Sequence, residues 1–432
     1  MKNVELTRVG GLKGEVFPPP DKSISHRAVM LASIAEGKSV VRNFLRAEDP
    51  ISTLEAFKML GIKIDESGSG VLVIQGEGLY GLRESTDVIN CGNSGTTIRL
   101  MSGILSGNPF LSILTGDESL RQRPMERVIS PLRKMGAVIS GRDNDRFPPM
   151  AIKGQRLTAV NYAMPLASAQ LKSCLLLAAL YACGATSVTE PFKSRDHTER
   201  MLGAMGASIS VDGLNITMQG GSRLHAFDLT VPSDFSSAAF FLVAALIVPN
   251  SEIIIKGVGI NPTRTGLLNV MREMGACIEL SNMREVSGEP VADIYCKSTK
   301  HLKAVKIEKE IIPSLIDEFP ALCVLATQAD GVTEIRGAED LRVKESDRIK
   351  SMASELKKFG VHLEEYPDGI AIRGKSALKG GAVESYGDHR IAMSLSIAAL
   401  ISDEITTVIN ASCVDISFPH FFKTLRELIK NA

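Results

Sequence analysis

Charge of one sign is missing from this 432-residue chain, in which 49 Lys and Arg stand against 49 Asp and Glu for a formal net charge of zero. No global positive field is available to hold it on DNA, RNA or an acidic membrane, so neither nucleic acid nor membrane is expected as a partner. Any anion must be met by cations placed locally. Long hydrophobic runs are missing too: residues 238–249 and 174–185, the most apolar stretches, are about a dozen residues long where a membrane span needs roughly 20. They read as buried core helices. The opening segment MKNVELTRVGGLKGEV lacks the apolar core of a secretory signal and alternates like a strand, so a cytoplasmic protein is expected. The cysteines, Cys91, Cys174, Cys183, Cys277, Cys296, Cys323 and Cys413, include no CxxC and no histidine at zinc-ligand spacing, and are expected to be buried thiols. HExxH, Ser-His-Asp spacing and the dinucleotide fingerprint are also absent. A transfer between anions, with no metal and no cofactor, is the expected chemistry.

What the chain does contain is a repeat. A helix ending in Gly and followed by a short strand recurs as FKMLGIKI, LRKMGAVI, LGAMGASI, VMREMGACIEL and LKKFGVHL, with a sixth helix at residues 421–429. The glycines Gly61, Gly136, Gly206, Gly275 and Gly360 recur at roughly 70–85 residues, near one sixth of the chain, and each suits a left-handed C′ position. A second element keeps the same period: a strand, a polar turn, then an apolar helix. Its copies begin PPPDKSISHR, CGNSGTTIR, MPLASAQLK, VPSDFSS, IPSLIDEFP and YGDHRIAM. The unit is therefore βαβαββ, six times over, in an α/β chain long enough for two lobes. Its apolar helices should be enclosed by protein, with every polar motif at an N-terminus, where free N–H groups and the dipole favour anions.

The first turn sets Lys22, Ser23 and Arg27 within one helical turn, with Ser23 and Arg27 on one face. ASIAEGKS, residues 32–39, imitates a P-loop, but a helix precedes it and Gly37 is expected to end that helix, so no nucleotide is expected there. Asn93 and Gly95 belong to a Gly-rich entry that lets backbone N–H groups approach a ligand. Ser168 and Gln170 offer hydroxyl and amide groups, although plain capping would also explain Ser168. A second ring of cations, Arg121, Arg123, Arg195, Arg264, Lys344 and Arg348, starts the outer helices, and Arg390 follows His389. Proton transfer could fall to Asp317, Glu318 or Glu345; Asp317 as a simple helix cap is the plainer alternative.

These motifs, in order and over essentially the whole chain, resemble the 5-enolpyruvylshikimate-3-phosphate synthase family. The resemblance implies a two-lobed enolpyruvyl-transferase fold with three repeats per lobe, one lobe at residues 21–234 and the other at 1–20 plus 235–432. It implies transfer of the enolpyruvyl group of phosphoenolpyruvate to the 5-hydroxyl of shikimate 3-phosphate through a tetrahedral intermediate, in a cleft that closes on its substrates. Residues matching Lys22, Ser23, Arg27, Ser168, Gln170, Ser194 or Arg195, Asp317 and Lys344 would hold shikimate 3-phosphate. Those matching Lys22, Asn93, Gly95, Arg123, Gln170, Arg348 and Arg390 would surround phosphoenolpyruvate. Asp317, Glu345 and Lys22 would move protons. A monomer is expected.

Two departures stand out. The family's common Lys before the Ser/Thr-Phe-Pro segment is missing from Val414-Asp415-Ile416-Ser417-Phe418-Pro419. SAQLK, RDHTE and NPTR resemble the glyphosate-tolerant class, yet Glu118 stands where that class usually has Lys and Gly95 is unsubstituted. Two rival readings are a UDP-N-acetylglucosamine enolpyruvyl transferase, whose first motif reads Lys-Asn and which carries a loop Cys absent here, and a non-catalytic binder of phosphorylated metabolites, which needs no carboxylates beside the cations.

Overall fold

The outer-helix glycines are left-handed in the computed structural model, which describes residues 2–68 and 70–432. φ is 89° at Gly61, 96° at Gly136, 91° at Gly206, 86° at Gly275 and 83° at Gly360. At the first of these, Gly61 N donates to Lys58 O and Ile62 N to Phe57 O, and the other four glycines repeat the pattern. The last carbonyls of the helix are thus satisfied while the chain turns directly into the next strand.

Each repeat then builds one small mixed sheet. In the second, Ile89–Asn90 pairs in parallel with Leu111–Thr115 across the helix Gly95–Ser106. Phe147–Lys153 pairs antiparallel with Leu111–Thr115 and with Val138–Gly141. The third repeat does the same with Asn161–Ala163, Ala185–Thr189, Asn215–Gln219 and Ile209–Asp212 around the helix Ala169–Ala179. The fifth does so with Lys306–Ile307, Val332–Ile335, Gly369–Arg373 and Leu363–Tyr366.

The first and fourth repeats exchange strands. Lys13–Val16 leads into the helix Lys22–Ile34 but pairs in parallel with Glu252–Gly259. Asp228–Thr230 leads into the helix Phe235–Ile247 but pairs in parallel with Glu36–Arg42. The sixth sheet borrows the first strand of the chain, Val4–Leu6, beside Thr406–Ile409. Two compact units result. One comprises Met1–Pro19, Pro232–Glu285 and Pro290–Ala432, the other Pro20–Val231 and Val286–Glu289.

Each unit has its own apolar core around its buried helices. In the unit holding residues 20–231, the helices Gly95–Ser106 and Ala169–Ala179 touch so closely that a Cβ at Gly103 would lie 2.2 Å from the Cys174 carbonyl oxygen. In the other unit, twelve residues of Phe235–Ile247 are buried, and Phe241 meets the rings of Phe418 at 5.8 Å and Phe421 at 5.4 Å. Burying each such phenylalanine contributes about 1.5–3 kcal/mol. No helix of the described residues is long and apolar enough to cross a membrane.

Three expectations need correction. Cys183 and Cys277 are exposed and Cys413 is only partly buried, while Cys91, Cys174, Cys296 and Cys323 are buried. Strand alternation turns Cys183 outward in Ala182–Cys183. Gly37 does not end its helix: Lys22–Ile34 is capped by Ala35, and Gly37 lies in the strand Glu36–Arg42 with φ of 106°. Asp317 is not a helix cap. The fifth apolar segment forms two short helices, Ile312–Leu315 and Phe319–Ala326, each with a proline in its first turn, and Asp317 occupies the turn between them.

Candidate anion-binding and proton-transfer site

In the unit holding residues 20–231, the three buried helices begin alike. Asp21 accepts from Ile24 N at 2.9 Å, Ser94 from Thr97 N at 3.0 Å and Ser168 from Leu171 N at 3.3 Å. One side-chain bond per helix leaves other first-turn N–H groups for a ligand. Lys22 is tied to the buried Asp49, Nζ to Oδ2 at 2.5 Å. Arg27 is 4% exposed and donates to Thr198 Oγ1 at 2.7 Å, Ser173 Oγ at 2.8 Å and Ser23 O at 3.0 Å, joining the helix Lys22–Ile34 to Ala169–Ala179 and His197–Ala204. Behind them, His26 Nδ1 meets Thr53 Oγ1 at 2.7 Å, Thr53 meets Thr97 at 2.6 Å, and Thr97 Oγ1 donates to Ser94 Oγ at 2.7 Å. Burial, with Lys22 and Arg27 nearby, pushes the His26 pKa well below its usual value, so this chain is held by a neutral imidazole.

The second helix start gathers two arginines. Arg123 donates to Asn93 Oδ1 at 2.6 Å and Ser119 Oγ at 3.1 Å, while Asn93 Nδ2 donates to Asp117 at 2.6 Å. Arg99 donates to Gln170 Oε1 at 2.8 Å and Pro124 O at 3.3 Å, and Gln170 Nε2 donates to Thr96 Oγ1 at 3.0 Å. Both guanidinium groups converge on Gly95: a Cβ there would lie 2.7 Å from Arg99 Nη1 and 3.4 Å from Arg123 Nη1. Two buried cations at a helix N-terminus repel one another, and an anion bound between them relieves that repulsion. The Gly-rich entry at Asn93 and Gly95 is legible in the sequence, but the convergence of Arg99 with Arg123 over it is not.

Ser194 is buried, and its hydroxyl donates to Glu190 Oε1. Arg195 is half-buried.

The other unit gathers carboxylates around two arginines. Arg348, 1% exposed, donates from Nε to Asp388 Oδ2 at 2.8 Å and from Nη2 to Glu345 Oε2 at 2.7 Å, with Asp317 Oδ1 3.4 Å from Nη1. Burial opposes its charge, but Asp388, Glu345 and Asp317 outweigh burial and raise its pKa. Arg390 Nη1 donates to the Asp317 carbonyl at 3.1 Å, and its Nη2 lies 3.7 Å from Asp317 Oδ2. Asp388 also caps the helix His389–Ala399 through Arg390 N at 2.9 Å. Lys344 pairs with Asp340 at 2.7 Å. Glu318, fully buried, accepts from Ser236 at the start of Phe235–Ile247, whereas Asp317 retains partial exposure. The fold thereby gives two adjacent carboxylates different surroundings, and it brings Asp317, Glu345, Arg348 and Arg390 together.

A family model described as EPSP synthase (3-phosphoshikimate 1-carboxyvinyltransferase) matches residues 6–425. The 3-phosphoshikimate 1-carboxyvinyltransferase of Thermodesulfovibrio yellowstonii is 56% identical over 420 residues, covering 97% of this chain and 98% of that one. Its counterpart in Pelobacter propionicus is 52% identical over 425 residues, covering 98% of each. The solved structure of EPSP synthase from Acinetobacter baumannii superposes with a TM-score of 0.87 at 44% identity, over 99% of this chain and 98% of that one. The enolpyruvyl transferase NikO from Streptomyces tendae shares the fold, with a TM-score of 0.78 at 18% identity over 98% of this chain and 96% of that one.

Proposed function

Because the chain belongs to the EPSP synthase family, transferring the enolpyruvyl group of phosphoenolpyruvate to the 5-hydroxyl of shikimate 3-phosphate, we propose how its residues divide that reaction. Lys22, Ser23, Arg27, Ser168, Gln170, Arg195 and Lys344 hold shikimate 3-phosphate, with Asp317 meeting its 5-hydroxyl. Asn93, Gly95, Arg123, Arg348 and Arg390 hold phosphoenolpyruvate, with Lys22 and Gln170 serving both substrates. Arg99 joins Arg123 over Gly95. Of these assignments, the best supported is the phosphoenolpyruvate set, and the observation that carries it is the convergence of two guanidinium groups on the Gly95 helix entry.

In the addition step the 5-hydroxyl oxygen bonds to C2 of phosphoenolpyruvate, its proton passes to Asp317, and Glu345 or Lys22 delivers a proton to C3. In the elimination step the group that gave C3 its proton takes one back, the double bond reforms and the C2–O bond to phosphate breaks, releasing phosphate. Arg348 and Arg390 already lie beside Asp317, so stabilising the charge that develops requires little reorganisation. The two-lobe division, with three repeats per lobe, is part of the proposal. So is action as a cytoplasmic monomer.

The test is phosphate release from the purified protein given phosphoenolpyruvate with either shikimate 3-phosphate or UDP-N-acetylglucosamine. Release with the first acceptor alone is expected. Release with the second alone would overturn the assignment.

A further inference from the structure

A buried lysine outside the assigned set organises the segment that precedes Arg195. Lys172 is 1% exposed, four residues into the turn that Ser168 caps, and its ammonium spends its three donors on Glu199 Oε1 at 2.6 Å, Glu190 Oε2 at 2.8 Å and the Ser194 carbonyl at 3.2 Å. Glu190 returns the contact: its Oε1 accepts from Ser194 N at 3.3 Å and from the Ser194 hydroxyl. The N–H, carbonyl and hydroxyl of Ser194 are therefore all taken by one buried cluster.

Stability alone is a poor reason for this arrangement, because well-packed apolar side chains do as well as a buried ion cluster. The cluster holds two carboxylates against one ammonium, Glu199 Oε2 has no hydrogen-bond partner among the described residues, and burial raises the Glu199 pKa despite Lys172. Close packing does not brace it from every side either, since a cavity of about 330 Å³ borders Lys172, Glu190 and Glu199. What the cluster does provide is direction: with every polar group of Ser194 fixed, the backbone entering Arg195 has one orientation. Ser173, the next residue, reinforces it by bonding Thr198 Oγ1 at 2.7 Å, the same hydroxyl that receives Arg27 Nε.

We propose that Lys172 is a positioning residue for shikimate 3-phosphate, which with Glu190 and Glu199 anchors Ser194 so that Arg195 is presented to the substrate. Arg195 is then the ligand and Ser194 its anchor. This rests on the substrate assignment made above.

Two variants test it, Lys172→Met and the isosteric Glu190→Gln. In the second, the new NH2 group must face either the Ser194 donors or the Lys172 ammonium, so one contact is lost while the shape is kept. Steady-state kinetics and calorimetric titration with shikimate 3-phosphate alone should show its KM and Kd rising at least about tenfold for Lys172→Met and about threefold or more for Glu190→Gln. KM for phosphoenolpyruvate at saturating shikimate 3-phosphate, and kcat, should stay within about threefold. A merely structural role would lower the unfolding temperature and the active fraction without this one-substrate split. Should Lys172→Met not fold, Glu190→Gln decides alone. Unchanged shikimate 3-phosphate KM in a folded variant, with an active parent enzyme, overturns the positioning role. A parent enzyme that releases no phosphate from these substrates fails the underlying assignment instead.

Discussion

Replacing Asp317 with alanine separates two roles that its position allows. As an ion-pair partner it is weakly placed: its oxygens lie 3.4 Å from Arg348 and 3.7 Å from Arg390, and its side chain is 19% exposed. Arg348 keeps shorter contacts to Glu345 at 2.7 Å and Asp388 at 2.8 Å without it. Losing the Asp317 side chain should therefore cost stability only about 1 kcal/mol. As the base that receives the 5-hydroxyl proton it is worth far more, about 10²–10⁴ in kcat, or roughly 2.7–5.4 kcal/mol of barrier. The expected result is a kcat lowered by at least about a hundredfold, with both substrates still bound near their parental affinities by calorimetry. Asp317→Asn, which keeps the shape and removes the base, should match it. A kcat within about tenfold of the parent, with KM for phosphoenolpyruvate raised more than about tenfold, would make Asp317 a partner of the arginines and remove it from proton transfer.

Gly95→Ala should raise KM for phosphoenolpyruvate by about tenfold or more, and by more than it raises KM for shikimate 3-phosphate, because the methyl fills the space on which the Arg99 and Arg123 guanidinium groups converge; an unchanged phosphoenolpyruvate KM would count against the anion site over Gly95. Asp293 is buried, which by itself would raise its pKa, but bonds from Lys256, Asn282 and Gly257 N outweigh burial and lower it from the ordinary 3.8 to about 2. Its stabilising contribution is therefore complete above the unfolded pKa near 4 and lost as pH falls toward 2. Thermal unfolding between pH 5 and 2 should show a drop that Asp293→Asn lacks, and equal slopes for the two proteins would contradict this.

Local chemistry made the repeat legible. A glycine after an apolar helix and before a strand needs a left-handed backbone wherever it occurs, so Gly61 through Gly360 could be read without any partner in view. The same holds for the starts of the buried helices, since Asp21, Ser94 and Ser168 cap through residues three positions away. The family motifs were legible for a related reason: their residues lie within single helical turns.

Contacts between residues far apart in the chain could not be read this way. Lys172 looked like one more residue of an apolar helix, and only packing against Glu190 and Glu199 makes it a buried cation with three acceptors. Asp317 and Glu318 are neighbours of like charge, and which of them turns toward Ser236 and which toward Arg348 depends on how the fifth helix meets the fourth and the sixth. Arg99 lies in the helix Gly95–Ser106 and Arg123 in the bend before the helix Glu126–Lys134, and their meeting over Gly95 exists only once both segments are packed. The caps at the starts of the buried helices follow from residues adjacent along the chain, whereas the charges gathered beside those starts are set by side chains that the fold alone brings within bonding distance.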